Sequence, residues 1–139
     1  PDSFKTDLLK GTFNFDSSGG STFKLALYTD ISGLTTSTTA FTTSNEVSTS
    51  GTSYSSGGNT LTNNGVAVSS NIAFVDFADL TFSSVTLSAV GALIYKSGGS
   101  NEAVLVLDFG GTKTATNGDF VVQFPTASNS AAIIRLGNA

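Results

Sequence analysis

The chain has 139 residues, enough for one domain with a real core, and it contains no cysteine, histidine, methionine or tryptophan. Without cysteine there are no disulfides or thiolate metal sites, and without histidine Ser-His-Asp and Cys-His chemistry is excluded, along with the commonest general base and metal ligand. The net charge of −4, with six scattered cations at Lys5, Lys10, Lys24, Lys96, Lys113 and Arg135, offers no basic stripe for a phosphate backbone, so nucleic acid is not an expected partner.

The opening Ser3–Gly11 reads as a short helix, part of an N-terminal arm over residues 1–11. Asp2 or Ser3 serves as its cap, Phe4 and Leu8 share a face, and Gly11 stops it. From Thr12 the periodicity becomes two. Phe23, Leu25 and Leu27 alternate with Lys24, Ala26 and Tyr28, the pattern of a half-buried strand.

Residues 30–60 break that pattern. This stretch is mostly Ser, Thr and Gly, with Asp30 and Glu46 its only charges. It carries Leu34, Phe41, Val47 and Tyr54, which are suited to pinning it to the body. An ordered excursion over one face or edge is expected, with a short strand near Asn45–Val47, because loops this long in compact domains are usually functional or disordered.

Strand patterns resume at Ile72–Phe77, with Leu80 and Phe82 on a neighbouring strand. Ser88–Tyr95 and Ala103–Phe109 are nearly continuous apolar runs and read as central strands buried on both faces. Phe120, Val122 and Phe124 alternate with polar or smaller residues, and Ala131–Leu136 forms the last strand. Turn signals stand between these elements at Ser18–Gly20, Ser56–Gly58, Asn64–Gly65, Ser97–Gly99, Gly110–Gly111 and Asn117–Gly118. The clearest hairpin turn is Lys96–Asn101. The whole reads as an all-β antiparallel sandwich over residues 12–139, jelly-roll-like or immunoglobulin-like, with a short N-terminal helix.

Candidate chemistry is thin. Pro1 has the secondary amine of an N-terminal base, but the chain offers a single arginine, Arg135, to support such a site, and excision of an initiator methionine explains it more simply. Asp76, Asp79 and Asp108 lie near strand ends, where carboxylates cap turns. If they converged they would suit acid–base work or Ca²⁺. Gly110–Thr114 resembles a phosphate-loop fragment without the full spacing or a following helix, and reads as a hairpin turn. Tyr28, Tyr54 and Tyr95 are candidates for a sugar-stacking platform. No cofactor or catalytic residue is expected, so the chain reads as non-enzymatic. No apolar run approaches the roughly 18 residues of a membrane span.

Ser and Thr make up about 29% of the chain, well above average usage, and give a polar, uncharged surface suited to adhesion. Pro1 at the start fits a mature cytosolic product. An ordered series then carries a family resemblance: Leu25–Thr29, Thr42–Val47, Tyr54–Gly58, Gly91–Tyr95, Val106–Gly111 and Ile133–Arg135. It resembles, from Phe4 to Leu136, a family of small proteins encoded in tailed-phage genomes and prophages. The resemblance implies a virion protein made in the host cytoplasm. It would be a capsid cement or decoration protein on the head surface, binding the major capsid protein and copies of itself as a homotrimer. The alternative is a tail or head-fibre module touching the host surface or its glycans. On the first reading the expected contacts are Phe4, Leu8 and Leu9 in the arm, and Phe41, Val47 and Tyr54 in the excursion. Removing residues 1–10 is expected to abolish shell binding and leave the domain folded.

Overall fold

A computed structural model describes residues 1–138. Among them lie one helix, α1 (Asp2–Leu9), and seven strands: β1 (Phe23–Tyr28), β2 (Asn59–Thr60), β3 (Asn63–Ser69), β4 (Ile72–Phe77), β5 (Leu80–Lys96), β6 (Ala103–Val122) and β7 (Ile134–Leu136). They form two antiparallel sheets, ordered β2-β1-β5-β6 and β3-β4-β7. The molecule is therefore all-β and sandwich-like. Four strands against three is the division of an immunoglobulin-type sandwich, but the order differs: β3 and β4 form a local hairpin, and β7 returns from the end of the chain to pair with β4.

Phenylalanine fills the space between the sheets. Phe15 stacks on Phe23 with ring centroids 4.6 Å apart, and Phe23 meets Phe77 of the facing sheet edge-on at 5.8 Å. Phe82, Val85, Phe120 and Val122 extend this core along β5 and β6. The helix starts and ends much as its residues suggest. Pro1 rather than Asp2 or Ser3 occupies the cap position, and Gly11, at φ +75°, follows the C-cap. The Gly11 amide donates to Leu8 O at 3.1 Å, closing the last turn.

β1 is buried on both faces rather than half-buried. Phe23, Leu25 and Leu27 face the main core, while Ala26 and Tyr28 enter a second cluster with Leu93, Tyr95 and Ala103. Ile31, Leu34 and Phe41 of the excursion roof that cluster, so the cover for the second face comes from a segment with no strand pattern of its own.

Several turn signals prove to be bulges. β5 runs unbroken from Leu80 to Lys96, and β6 passes straight through Gly110–Gly111 and Asn117–Gly118. Pairing steps from Gly91↔Asp108 to Ala89↔Lys113, so the extra residues of β6 loop out around the two glycines. Gly110 sits at φ +72° and Gly111 at φ +146°, conformations open to glycine and hard for other residues. Asn64–Gly65 likewise lies inside β3, where the register shifts between Asn63 and Val66. The true β3–β4 turn is Ser70–Asn71, at φ +50° and +62°, an arrangement that asparagine tolerates. The Lys96–Asn101 hairpin is present, closed by the Lys96 amide on Glu102 O at 2.9 Å.

Ala103–Phe109 is not central. β6 is an edge strand, so Leu105, Val106 and Leu107 are only half-buried. The last strand is short, because residues 128–132 form a turn with the Ala132 amide on Ser128 O at 3.0 Å.

Candidate functional site

The three tyrosines and Glu46 form the most highly connected polar cluster in the protein, and its role is to hold the excursion in place. β2 covers β1 only at Lys24 and Leu25, which leaves the rest of that β1 edge without a strand neighbour. The excursion fills the gap. The Val47 amide donates to Leu27 O at 2.9 Å, and Tyr28 bridges to Glu46. The Leu27 amide has no backbone partner on that side and donates instead to the Tyr54 hydroxyl, at 3.0 Å. That hydroxyl in turn donates a hydrogen bond to Glu46 Oε1 at 2.8 Å.

Glu46 collects two further donors, the Gly57 amide at 2.6 Å and the Ser56 hydroxyl at 2.8 Å. The Tyr95 hydroxyl donates to Gly57 O at 2.8 Å and the Tyr28 hydroxyl to Thr42 O at 2.6 Å. Each tyrosine thus ties a different point of the excursion to the sheet. Burial, with the Glu46 charge adding to it, pushes the Tyr28 hydroxyl well above the ordinary tyrosine range. Burial pushes Tyr54 up as well, and likewise Tyr95. Gly58 lets the chain pass close over β1, since a Cβ there would collide with the Leu25 carbonyl.

This packing removes the tyrosines as a sugar platform. Tyr28, Tyr54 and Tyr95 are all buried, and a ring that stacks on a sugar must present a face. It also reassigns most of the expected contact residues. Val47 is 4% exposed and Tyr54 3%, so neither offers surface to a partner. Phe41 stacks on Tyr95 at 4.7 Å. Phe4 lies 5.2 Å from Phe13, and Leu8 packs on the same core, so the arm is part of the domain. Only Leu9, at 89% exposure, stands free.

The carboxylates do not gather. Among the described residues no three acidic groups approach closely enough to hold a metal ion. Asp108 Oδ1 accepts Gly110 N–H at 2.8 Å as a cap of local backbone, and Asp79 Oδ1 accepts the Phe124 amide at 2.8 Å, tying together segments far apart in the chain. Asp76 is different. It is 1% exposed, its Oδ1 accepts the Phe77 amide at 2.9 Å, and its Oδ2 has no partner. Burial raises its pKa, opposed in part by the Phe77 amide. Gly110–Thr114 leads out of the bulge of β6 back into pairing, with Lys113 and Thr114 opposite Ala89 and Ser88, and precedes no helix.

A groove of about 410 Å³ lies between the start of α1, residues 34–36 of the excursion and residues 104–106 of β6. Two further surface grooves remain. One, of about 490 Å³, follows the bend of β6 between Leu107–Phe109 and Asp119–Gln123. The other, of about 290 Å³, lies between the end of α1 and the β3-β4-β7 sheet, with Leu8, Phe15, Val66, Ile134 and Leu136 in its wall. Composition and periodicity single out none of these grooves, since the one beside α1 joins segments far apart in the chain and the one along β6 depends on how that strand bends. No described helix is long and apolar enough to cross a membrane. Comparison with protein-family models, curated proteins and solved structures yields no match.

Proposed function

We propose that this chain is a non-enzymatic structural protein of a tailed-phage particle. In this reading it decorates the outside of the head, where it binds the major capsid protein as a homotrimer and stabilises the shell. The observation that carries this is the ordered motif series from Leu25–Thr29 to Ile133–Arg135, which resembles small phage-encoded proteins along nearly the whole chain. The surface is in keeping with it. A hydroxyl-rich exterior, sparse in charge, makes many weak contacts at low desolvation cost, and repetition over a lattice turns weak contacts into avidity. An excursion tied down by three tyrosines and Glu46 presents a fixed shape, so little ordering entropy is lost on docking.

The test is the copy number of this chain in purified particles, measured by quantitative mass spectrometry. Decoration of the head gives a number on the scale of the capsomer lattice. A number on the scale of a single tail fitting, or absence from the particle, overturns the reading. Removing residues 1–10 is a poor probe of shell binding, because it would strip Phe4 and Leu8 from the core. Leu9 can be changed without that damage.

A further inference from the structure

We propose that the concave groove along the bend of β6 is a binding site for a neutral sugar ring, free or at the end of a glycan. The inference goes beyond the virion reading and does not depend on where in a particle the chain sits.

The groove is made by an irregularity in the strand. Pairing steps from Gly91↔Asp108 to Ala89↔Lys113, so residues 109–112 of β6 stand opposite Val90 alone. Such an excess bends the strand that carries it. The bend encloses about 490 Å³ between residues 107–109 and 119–123, within the usual size of small-ligand sites, ~300–1,000 Å³. Gly110, at φ +72°, allows the bend, and the Asp108 carboxylate fixes it by accepting the Gly110 amide at 2.8 Å.

The lining has an apolar wall and a polar rim. Phe109 and Phe120 form the wall, with ring centroids 6.0 Å apart. Phe120 is buried, but Phe109 is only half-buried and keeps surface in the groove, which the three buried tyrosines do not offer. Along the end of β6, alternation turns Phe120 and Val122 inward and leaves Asp119, Val121 and Gln123 exposed on the rim. Asp108 and Lys113 stand exposed on the opposite side. Each carboxylate uses one oxygen in the fold, Asp108 on Gly110 and Asp119 on the Ser84 amide at 3.3 Å, and has the other for a ligand. Lys113 forms no ion pair among the described residues.

This lining selects a class of ligand. Anions are disfavoured, because two carboxylates outnumber one ammonium on the rim of a chain at net −4. Organic cations meet Lys113, and a metal ion lacks ligands, since no three acidic groups converge among the described residues. A wholly apolar ligand would strip water from the charged rim without pairing it. A neutral sugar suits both parts. The C–H groups on one face of its ring lie against Phe109, while its hydroxyls donate to the free carboxylate oxygens and accept from the Gln123 amide and Lys113.

The test is a titration of the full ¹⁵N-labelled chain with methyl glucoside, methyl mannoside, methyl galactoside and N-acetylglucosamine, each up to about 50 mM, followed by amide shifts and saturation-transfer spectra. At least one of these sugars should give saturable shifts centred on residues 107–109 and 119–123, with Kd on the order of 0.1–10 mM. The uronic acid of the same sugar should bind more weakly, because it meets the acidic rim. Gln123→Ala and Phe109→Leu should each weaken binding about 2–10-fold, one by removing a hydrogen bond and the other by removing the ring. Gln123 is exposed and lies beyond the last residue of β6, so its loss leaves the fold intact even where Phe109→Leu costs stability. Val68→Ala, on β3, should leave binding unchanged. Absence of shifts with all of the sugars, shifts that map outside the groove, binding indifferent to both Gln123→Ala and Phe109→Leu, or tighter binding of the uronic acid overturns the proposal. Particle copy number is measured separately, so the head-decoration reading can fail while this site survives, and the reverse.

Discussion

Replacing Tyr54 by phenylalanine removes one oxygen atom and leaves the ring against Phe82, 5.8 Å away, undisturbed. Two hydrogen bonds are lost. The Leu27 amide no longer has its acceptor at 3.0 Å, and Glu46 loses the donor at 2.8 Å. An unpaired buried amide costs about 1–3 kcal/mol, and a lost bond to a charged acceptor about 1.5–3 kcal/mol. Glu46 keeps the Gly57 amide and the Ser56 hydroxyl, so the second loss falls at the low end. The sum is about 2–4 kcal/mol. At 139 residues each kcal/mol corresponds to roughly 3–5 °C, so the melting midpoint should fall by roughly 6–20 °C. Thermal and urea unfolding followed by circular dichroism measure the loss. Amide exchange at Leu27 locates it, since protection there should drop while that of Phe82 and Val85 in β5 follows global stability. A midpoint within about 2 °C of wild type, with Leu27 protection unchanged, would refute the claim that this hydroxyl stands in for a strand neighbour.

Two further predictions concern pH. Burial raises the pKa of Asp76, so the folded chain binds its proton more tightly than the unfolded one, and the cost of its charge is greatest at neutral pH. Asp76→Asn should therefore cost less, or stabilise, most clearly at pH ~7, and the difference from wild type should shrink as pH falls towards the ordinary carboxylate range near 4. A gap that stays constant or widens in acid would count against it, as read by urea titration at several pH values. The tyrosines give the alkaline counterpart. Tyr28, Tyr54 and Tyr95 are all raised, so the unfolded chain releases protons that the folded chain retains, and stability should decline as pH climbs above about 10. Tyrosinate absorbance should then appear together with unfolding. Ionisation near pH ~10 with the fold intact would contradict the anchoring role.

Much of the sheet was legible because strand alternation is a local signal. Phe23, Leu25 and Leu27 face the core as their spacing requires, and Lys96–Asn101 turns as its glycines predict. β3 went unread. Its Val66 and Val68 are bracketed by Asn64–Gly65, a turn signature that here marks a bulge inside the strand. Gly110–Gly111 misleads in the same way, since a left-handed glycine serves a hairpin and a bulge equally well. Which of the two forms depends on whether β5 continues alongside, and that is not a local property.

The contact residues show the same division. Phe41, Val47 and Tyr54 stand out as apolar points in a hydroxyl-rich stretch, and the structure uses each of them to fasten that stretch down. Composition tells that such residues will be covered, since water is a poor neighbour for them, but not whether a partner or the chain itself provides the cover.

By itself the sequence determined the chemical limits and the class of fold. The absence of histidine and cysteine removes whole families of reaction regardless of shape, and a period of two makes strands regardless of how they stack. The tertiary structure decided which apolar groups remain in solvent. Exposure is a relation between segments distant in the chain: Leu9, Val68 and Leu136 stay open only because nothing else folds across them, while Tyr54 is hidden by a strand that precedes it by more than twenty residues.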